Sequence, residues 1–129
     1  MSRIGLTTLV LLLAGCSATV DSNEGGGTIG VVDGIVELSA ISTRFDASVI
    51  MADAGEPFLI DFTNRENVPH NVSVYPRAGG EAIAIGDIID VAGRRTRVAV
   101  PALEDGAYLF VCDAHPQAMS GMLVVGTPP

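Results

Sequence analysis

The segment YLFVCDAHPQAMSGMLVV, residues 108–125, constrains the fold of this chain more than any other. Its first residues alternate, so that a strand places Tyr108, Phe110 and Cys112 on one face. Cys112 therefore lies where a buried strand ends, and residues 123–125 begin another strand. The residues between these two strands must form a short turn that joins them.

This turn contains side chains that bind soft metal ions. His115 and Met119 follow Cys112, and Pro116 restricts the backbone directly after the histidine. A thiolate, an imidazole and a thioether together favour a soft or borderline metal, and copper is the ion for which a thioether is a meaningful ligand. Zinc also binds Cys and His, but it normally has no use for methionine. The turn is therefore predicted to hold copper.

A complete site needs a second imidazole, and the chain contains two histidines. The other one, His70, lies in NVPHNVSVYP, where a strand would place it on the same face as Val72 and Val74. Two imidazoles, one thiolate and a weak axial thioether form the blue-copper site of electron-transfer proteins. Alone, each residue has an ordinary explanation, such as a core histidine or a packed methionine. The metal prediction depends on their combination.

These motifs resemble those of the small blue-copper proteins, the cupredoxins, over roughly residues 28–126. The shared elements are a His-Asn pair on an early strand, Cys-x-x-His, a nearby Met and a last strand that contains Gly. The resemblance implies that His70, Cys112 and His115 are the equatorial ligands of one type 1 copper ion. It implies that Met119 is the axial ligand.

Met122 is an alternative axial ligand. We prefer Met119 because MSGMLVV resembles the Met-x-Gly-x-Leu with which the last strand of the family begins. Met122 would already lie inside that strand.

The resemblance also assigns roles to residues beside the ligands. Asn71 resembles the family residue whose side chain connects the two ligand-bearing loops. Its alternatives are an exposed polar position and a glycosylation acceptor, which we discount because the position should be shielded beside the metal. The ring edge of His115 is expected to reach the surface in an apolar patch with Pro116 and Ala118, where an electron would leave.

The N-terminal segment MSRIGLTTLVLLLAGC is typical of an exported protein. Arg3 precedes an apolar run, residues 4–14, that is too short to span a bilayer comfortably. The residues LAGC resemble the lipobox of prokaryotic lipoproteins, in which the cysteine is lipidated. We therefore predict a lipoprotein signal peptide over residues 1–15, and a lipidated Cys16 with a flexible glycine-rich linker over residues 16–28. The alternative is an ordinary signal peptide that happens to contain a cysteine.

Residues 29–129 are expected to form one domain. Short alternating apolar runs are separated by Gly, Pro, Asp and Asn, and none has the period of an amphipathic helix. We predict an all-β, cupredoxin-like Greek-key β-sandwich of about seven or eight strands. Residues 29–40 are predicted to form a first strand interrupted at Gly34, and residues 58–64 a half-buried strand.

The charge balance excludes one class of partner. The chain has 15 acidic and 7 basic residues, a net charge of −8. It therefore lacks the basic stripe with which proteins displace counterions from phosphates, and we expect no nucleic-acid partner. The negative charge permits attraction of a basic protein partner, or is simply a soluble acidic surface.

Together these features predict a monomeric electron-transfer protein, held by its lipid on the outer side of the cytoplasmic membrane and facing the periplasm or the cell exterior. Its partners would be an electron donor and an electron acceptor. Because Cys16 and Cys112 have separate uses, no disulfide is expected. Storage of copper, or its delivery to an oxidase, is the alternative. An enzyme is not expected, since substrate-active copper centres need further histidines.

Overall fold

The computed structural model describes residues 26–127, and these residues form ten strands in two sheets. The strands are β1 (Gly27–Gly30), β2 (Ile35–Ile41), β3 (Arg44–Phe45), β4 (Ala47–Ala52), β5 (Phe58–Asn64), β6 (Ser73–Tyr75), β7 (Ala84–Ile85), β8 (Arg95–Val100), β9 (Gly106–Val111) and β10 (Ser120–Val125). The predicted all-β sandwich is confirmed. Between residues 26 and 127 we find no helix with the length and apolar character that crossing a membrane requires.

The strands form a six-stranded sheet in the order β1-β4-β10-β9-β6-β7 and a four-stranded sheet in the order β3-β2-β5-β8. Both sheets are mixed, because β4 runs parallel to β1 and β10, and β2 runs parallel to β5. The count exceeds the predicted seven or eight, partly because β3 and β7 contain two residues each. In the six-stranded sheet β9 lies between β10 and β6, which brings the ends of these three strands together.

The predicted first strand, interrupted at Gly34, is wrong in one respect: it is two strands in different sheets. Asp33 and Gly34 have φ angles of 51° and 76°. Val32 and Ile35 on either side exchange backbone hydrogen bonds of 2.9 and 3.0 Å. An Asp-Gly pair with both φ angles positive is a tight hairpin turn, and it sends the chain from one sheet into the other. The first strand begins at Gly27, two residues before the predicted domain boundary.

The predicted alternation of β5 is confirmed, because Phe58, Ile60 and Phe62 are buried in the core. Asp61 is also buried, with an exposed fraction of 7%. An ion pair with Arg95 on the neighbouring β8, at 2.8 Å, compensates the loss of hydration of this carboxylate.

Three aromatic rings connect the two sheets beneath the strand that leads to Cys112. The Phe110 ring of β9 lies 5.3 Å from the ring of Phe45, which lies 6.2 Å from the ring of Phe62. Gly121 of β10 pairs with Phe110, and any Cβ atom at this glycine would overlap the Phe110 ring. The absence of a side chain at Gly121 therefore allows Phe110 to fill the core below β10.

Candidate metal centre

Three of the predicted ligands lie close together at one end of the sandwich. The Sγ atom of Cys112 lies 3.8 Å from Nδ1 of His70 and 3.7 Å from Nδ1 of His115. The three ligand atoms all lie within 4.8 Å of one another. The two imidazole rings are tilted by 54°, with their centroids 5.0 Å apart. Folding therefore directs one thiol and two ring nitrogens toward a common point.

The loop between β9 and β10 is closed by its own backbone. The N–H of Cys112 donates to the carbonyl of Met119 at 3.0 Å, and the N–H of Met119 donates to the carbonyl of His115 at 2.9 Å. The N–H of His115 in turn donates to the carbonyl of Cys112 at 3.1 Å. These bonds hold the three residues in a compact turn, which rigidly positions their side chains.

The sequence suggests that His70 lies in a regular strand, but the structure holds it by a single bridge outside the strands. It forms an isolated bridge with Ile89, with hydrogen bonds of 3.0 and 2.9 Å, and β6 begins only at Ser73. The predicted alternation of buried and exposed residues fails here. Asn71 and Ser73 are buried, and so are His70, Val72 and Val74. His70 itself has no exposed surface.

The two candidate axial methionines have different environments. Met119 is buried, with 1% of its surface exposed, whereas 45% of Met122 is exposed. Met122 lies within β10, as the sequence predicts, and pairs with Leu109 of β9. Burial at the closed end of the ligand loop supports Met119 as the axial residue.

The donor set fits a single first-row metal ion. Such an ion lies about 2.3 Å from a thiolate sulfur and about 2.0–2.1 Å from an imidazole nitrogen. At trigonal or tetrahedral angles these bond lengths separate the two donors by roughly 3.5–3.8 Å, close to the separations observed here. Two imidazoles, a thiolate and a weak thioether are the ligands of type 1 copper.

Asn71 joins the two ligand-bearing segments, as its resemblance to the family implies. Its Oδ1 accepts the backbone N–H of Asp113 at 2.7 Å, and its Nδ2 donates to the Asp113 carboxylate at 2.7 Å. Nδ2 also donates to the carbonyl of Gly86 at 2.9 Å. Because 1% of Asn71 is exposed, a glycan would have no room at this position.

Asp113, which the sequence analysis did not single out, is the acceptor in a network beside Cys112. Its carboxylate also accepts hydrogen bonds of 2.6 Å each from the hydroxyls of Ser73 and Tyr75. Burial alone would raise the pKa of Asp113, but the hydrogen bonds outweigh it, and the pKa is lower than usual. The hydrogen bond that Tyr75 donates to Asp113 raises the pKa of the Tyr75 hydroxyl. The only sequence signal was an acidic residue directly after the cysteine.

Glu66 is a second residue that sequence patterns did not reveal. Its Oε1 lies 2.7 Å from Nε2 of His70, the ring nitrogen that faces away from Cys112. An acid four positions before a histidine indicates contact in a helix, but these residues lie in a loop, where the spacing carries no such meaning.

His115 is the most exposed of the four predicted ligands. It is half-buried, while Ala114, Pro116 and Ala118 around it in the loop are exposed. Exposed apolar residues therefore lie on both sides of the outermost predicted ligand in the loop. The predicted lipidation site, Cys16, falls outside the described residues, as do the signal peptide and most of the linker.

Comparisons with known proteins agree with this architecture. The family model of the cupredoxin-like domain matches residues 5–125. Auracyanin A, a blue copper protein of the green thermophilic photosynthetic bacterium Chloroflexus aurantiacus, is 21% identical with a TM-score of 0.61, over 78% of this chain and 100% of auracyanin A. The auracyanin of Roseiflexus castenholzii is 17% identical with a TM-score of 0.65, over 75% and 100%. A reduced single-residue variant of amicyanin is 25% identical with a TM-score of 0.53, over 74% and 85%.

The two auracyanin likenesses concern the fold alone. The comparison with curated protein sequences found no match. The family model covers most of the chain, and the sandwich and the clustered donors agree with it. On these grounds the chain belongs to the cupredoxin-like domain family.

Proposed function

We propose that this chain is a type 1 copper protein that transfers electrons, with copper held by His70, Cys112, His115 and Met119. The observation that carries the proposal is the placement of the Cys112 sulfur 3.8 and 3.7 Å from the ring nitrogens of two histidines. Auracyanin A, which shares the fold, is itself a blue copper protein. When bound, copper supplies a one-electron couple between Cu(I) and Cu(II).

The protein contributes rigidity to this chemistry. An electron moves with a low barrier when few atoms have to move with it. The backbone bond between Cys112 and Met119 and the side-chain bonds between Asn71 and Asp113 hold the ligand loop in one arrangement. The buried surroundings of His70 and Met119 exclude water, which also limits the rearrangement around the site.

The surface near His115 supports electron exchange with a protein partner. The apolar residues around this half-buried ring allow a partner to approach the site without displacing tightly bound water. The donor and acceptor are then redox proteins that contact this surface.

A carrier is favoured over an enzyme because the chain has two histidines, and both contribute to the proposed copper site. Copper centres that act on substrates need additional imidazole ligands. We therefore propose that the chain has no catalytic residues of its own.

The membrane attachment is proposed from the sequence. The residues LAGC and the glycine-rich stretch after them support lipidation of Cys16 and a flexible tether. Residues 17–26 would then separate the lipid from the sandwich, which begins with β1 at Gly27. This arrangement keeps the carrier on the outer side of the cytoplasmic membrane while it exchanges electrons.

Absorption and electron spin resonance of the copper-loaded protein test the copper proposal. The wild type should be intensely blue with Cu(II), because a thiolate ligand gives a strong charge-transfer band, and the colour should bleach and return through repeated reduction and oxidation. Cys112→Ser should abolish the band, while Met122→Leu, an exposed change, should preserve it. A colourless wild type would contradict the proposal. Rapid loss of copper to a chelator, without reversible redox cycling, would indicate copper storage or delivery instead.

Membrane fractionation tests the tether. Cys16→Ser should move the protein from the membrane fraction to the soluble fraction and abolish incorporation of labelled fatty acid. The copper spectrum of this variant should match the wild type, because Cys16 is not among the proposed ligands. A wild type found wholly in the soluble fraction would contradict lipid attachment and leave the copper proposal intact.

A further inference from the structure

The two ring nitrogens of His70 face different partners. Nδ1 lies 3.8 Å from the sulfur of Cys112, and Nε2 lies 2.7 Å from Oε1 of Glu66. A carboxylate only accepts hydrogen bonds, so the proton of a neutral His70 belongs on Nε2. Glu66 therefore selects the tautomer that leaves Nδ1 free to bind a metal ion.

Glu66 is itself held at both its backbone and its side chain. The backbone N–H of Thr43 donates to the same Oε1 atom at 2.7 Å. The backbone N–H of Glu66 donates to Oδ1 of Asn64 at 3.0 Å, and Asn64 is fully buried. The carboxylate thus has a fixed position although 22% of the side chain is exposed.

The turn that supplies the Thr43 N–H has an unfavourable backbone conformation. Ser42 and Thr43 connect β2 to β3, and both have a φ of 54°. A type I′ hairpin turn has positive φ at both central positions, which glycine and asparagine adopt at low cost, whereas a β-branched threonine there is an outlier. Strained residues persist where the surrounding structure determines them. Here the turn directs an N–H group at the Glu66 carboxylate.

We propose that Glu66 is a positioning residue for His70, and that its carboxylate, held by Thr43, favours the oxidised form of the bound copper. This inference rests on the proposed copper function. A carboxylate bonded to the outer nitrogen of a metal-binding histidine fixes the ring and makes the ligand more basic. A negative charge near the ion also stabilises Cu(II) more than Cu(I), because Cu(II) carries the larger charge. Oε1 accepts hydrogen bonds from both the Thr43 N–H and Nε2 of His70, so this carboxylate oxygen is fixed beside the ligand ring.

The test compares the reduction potentials of the wild type, Glu66→Gln and Glu56→Gln. Glutamine keeps the shape of Glu66 but removes its charge. Glu56→Gln is the control. Glu56 is exposed and precedes β5, whereas Glu66 follows β5, so this substitution removes the same charge at the opposite end of the strand. Losing an outer-sphere partner typically lowers metal affinity by about 10- to 100-fold. We expect Cu(II) affinity to fall about tenfold more than Cu(I) affinity, which raises the potential of Glu66→Gln by about 59 mV.

The outcomes separate this inference from the proposed function. A blue Glu66→Gln protein whose potential equals that of the wild type and of Glu56→Gln would overturn the inference alone. A wild type that stays colourless with Cu(II) would overturn the proposed function. Glu66→Asp retains the charge on a shorter side chain, so it should show a smaller rise in potential than Glu66→Gln.

A second measurement uses the metal-free wild type and does not depend on copper loading. Nitrogen-15 magnetic resonance reports which ring nitrogen of His70 carries the proton. We expect a slowly exchanging proton on Nε2 of His70. A proton on Nδ1 would overturn it, even if Glu66→Gln failed to fold.

Discussion

Asn71 and Asp113 form a reciprocal pair: the Asn71 carbonyl oxygen accepts the Asp113 backbone N–H, and the Asn71 amide donates to the Asp113 carboxylate, each at 2.7 Å. The two residues directly follow His70 and Cys112. The pair therefore connects the segment that carries one histidine to the loop that carries the cysteine, and it fixes the separation of the ligands before any metal binds.

Asn71→Ala should destabilise the protein strongly. It leaves buried partners of Asn71, including the Asp113 N–H and the Gly86 carbonyl, without their hydrogen bonds. Each unsatisfied buried group costs about 1–3 kcal/mol, so we expect a loss of about 2–4 kcal/mol in the free energy of unfolding. Urea unfolding of the metal-free protein measures this. Asn67→Ala, which loses an exposed bond to the Ala92 N–H, should cost less than about 1 kcal/mol. Equal losses in both variants would contradict the role of Asn71.

The pH dependence of stability should depend on Asp113. Its pKa in the folded protein lies below the ordinary value of 3.8, so its contribution is complete above pH 3.8 and is lost as the pH falls through the folded-state value. Stability of the metal-free wild type should therefore fall in this acid range, and less steeply in Asp113→Asn. Asp87→Asn, which changes an exposed carboxylate, is the control. Identical acid profiles for the wild type and Asp113→Asn would refute this prediction.

Met119→Leu should alter the copper centre, whereas Met122→Leu should not. Leucine has nearly the volume of methionine but no sulfur to donate electrons, so the oxidised ion loses stabilisation. We expect Met119→Leu to remain blue, with a changed spin-resonance spectrum and a potential at least about 59 mV higher, a tenfold change for a one-electron couple. If the spectrum responds to Met122→Leu and not to Met119→Leu, the axial assignment is wrong.

Gly121→Ala should destabilise the sandwich because its methyl group would overlap the Phe110 ring. Excess volume in a packed core costs about 1–3 kcal/mol, and thermal or urea unfolding should show a loss of this size. Gly30→Ala in β1 is the matched control, since no atom lies within 4 Å of the added carbon. We expect the control to change stability by less than about 0.5 kcal/mol.

Ala118→Glu should slow electron exchange while the blue spectrum stays the same. The exposed Ala118 lies beside His115 but is not a ligand, so the added carboxylate affects the partner and not the metal. Desolvating an unpaired carboxylate in a contact costs more than 1.4 kcal/mol, which corresponds to a tenfold effect or more. Stopped-flow exchange with a redox protein measures this. Ala107→Glu, at the other end of β9, should leave the rate nearly unchanged. Equal rates in all three proteins would exclude His115 as the point of exchange.

Local sequence rules predicted much of the fold. The alternation in β5 and β9 indicated which side chains face the core, and the structure confirms both. The same rules failed at two places. They treated the segment around Gly34 as one strand, because they could not tell that an Asp-Gly hairpin sends the chain into the other sheet. They also assigned His70 to a regular strand, although residues of both faces are buried there.

The sequence by itself determined the donor types, the spacing of Cys112, His115 and Met119, and the tight turn that joins them, because these depend on residues that are neighbours in the chain. Only the tertiary structure decided that His70 lies beside Cys112, that Asn71 binds Asp113, and that Glu66 is held between Thr43 and His70. Strand pairing between distant segments produces these contacts. Side-chain spacing predicts contacts only within a single helix or strand, and it carries no information about which strands will be neighbours.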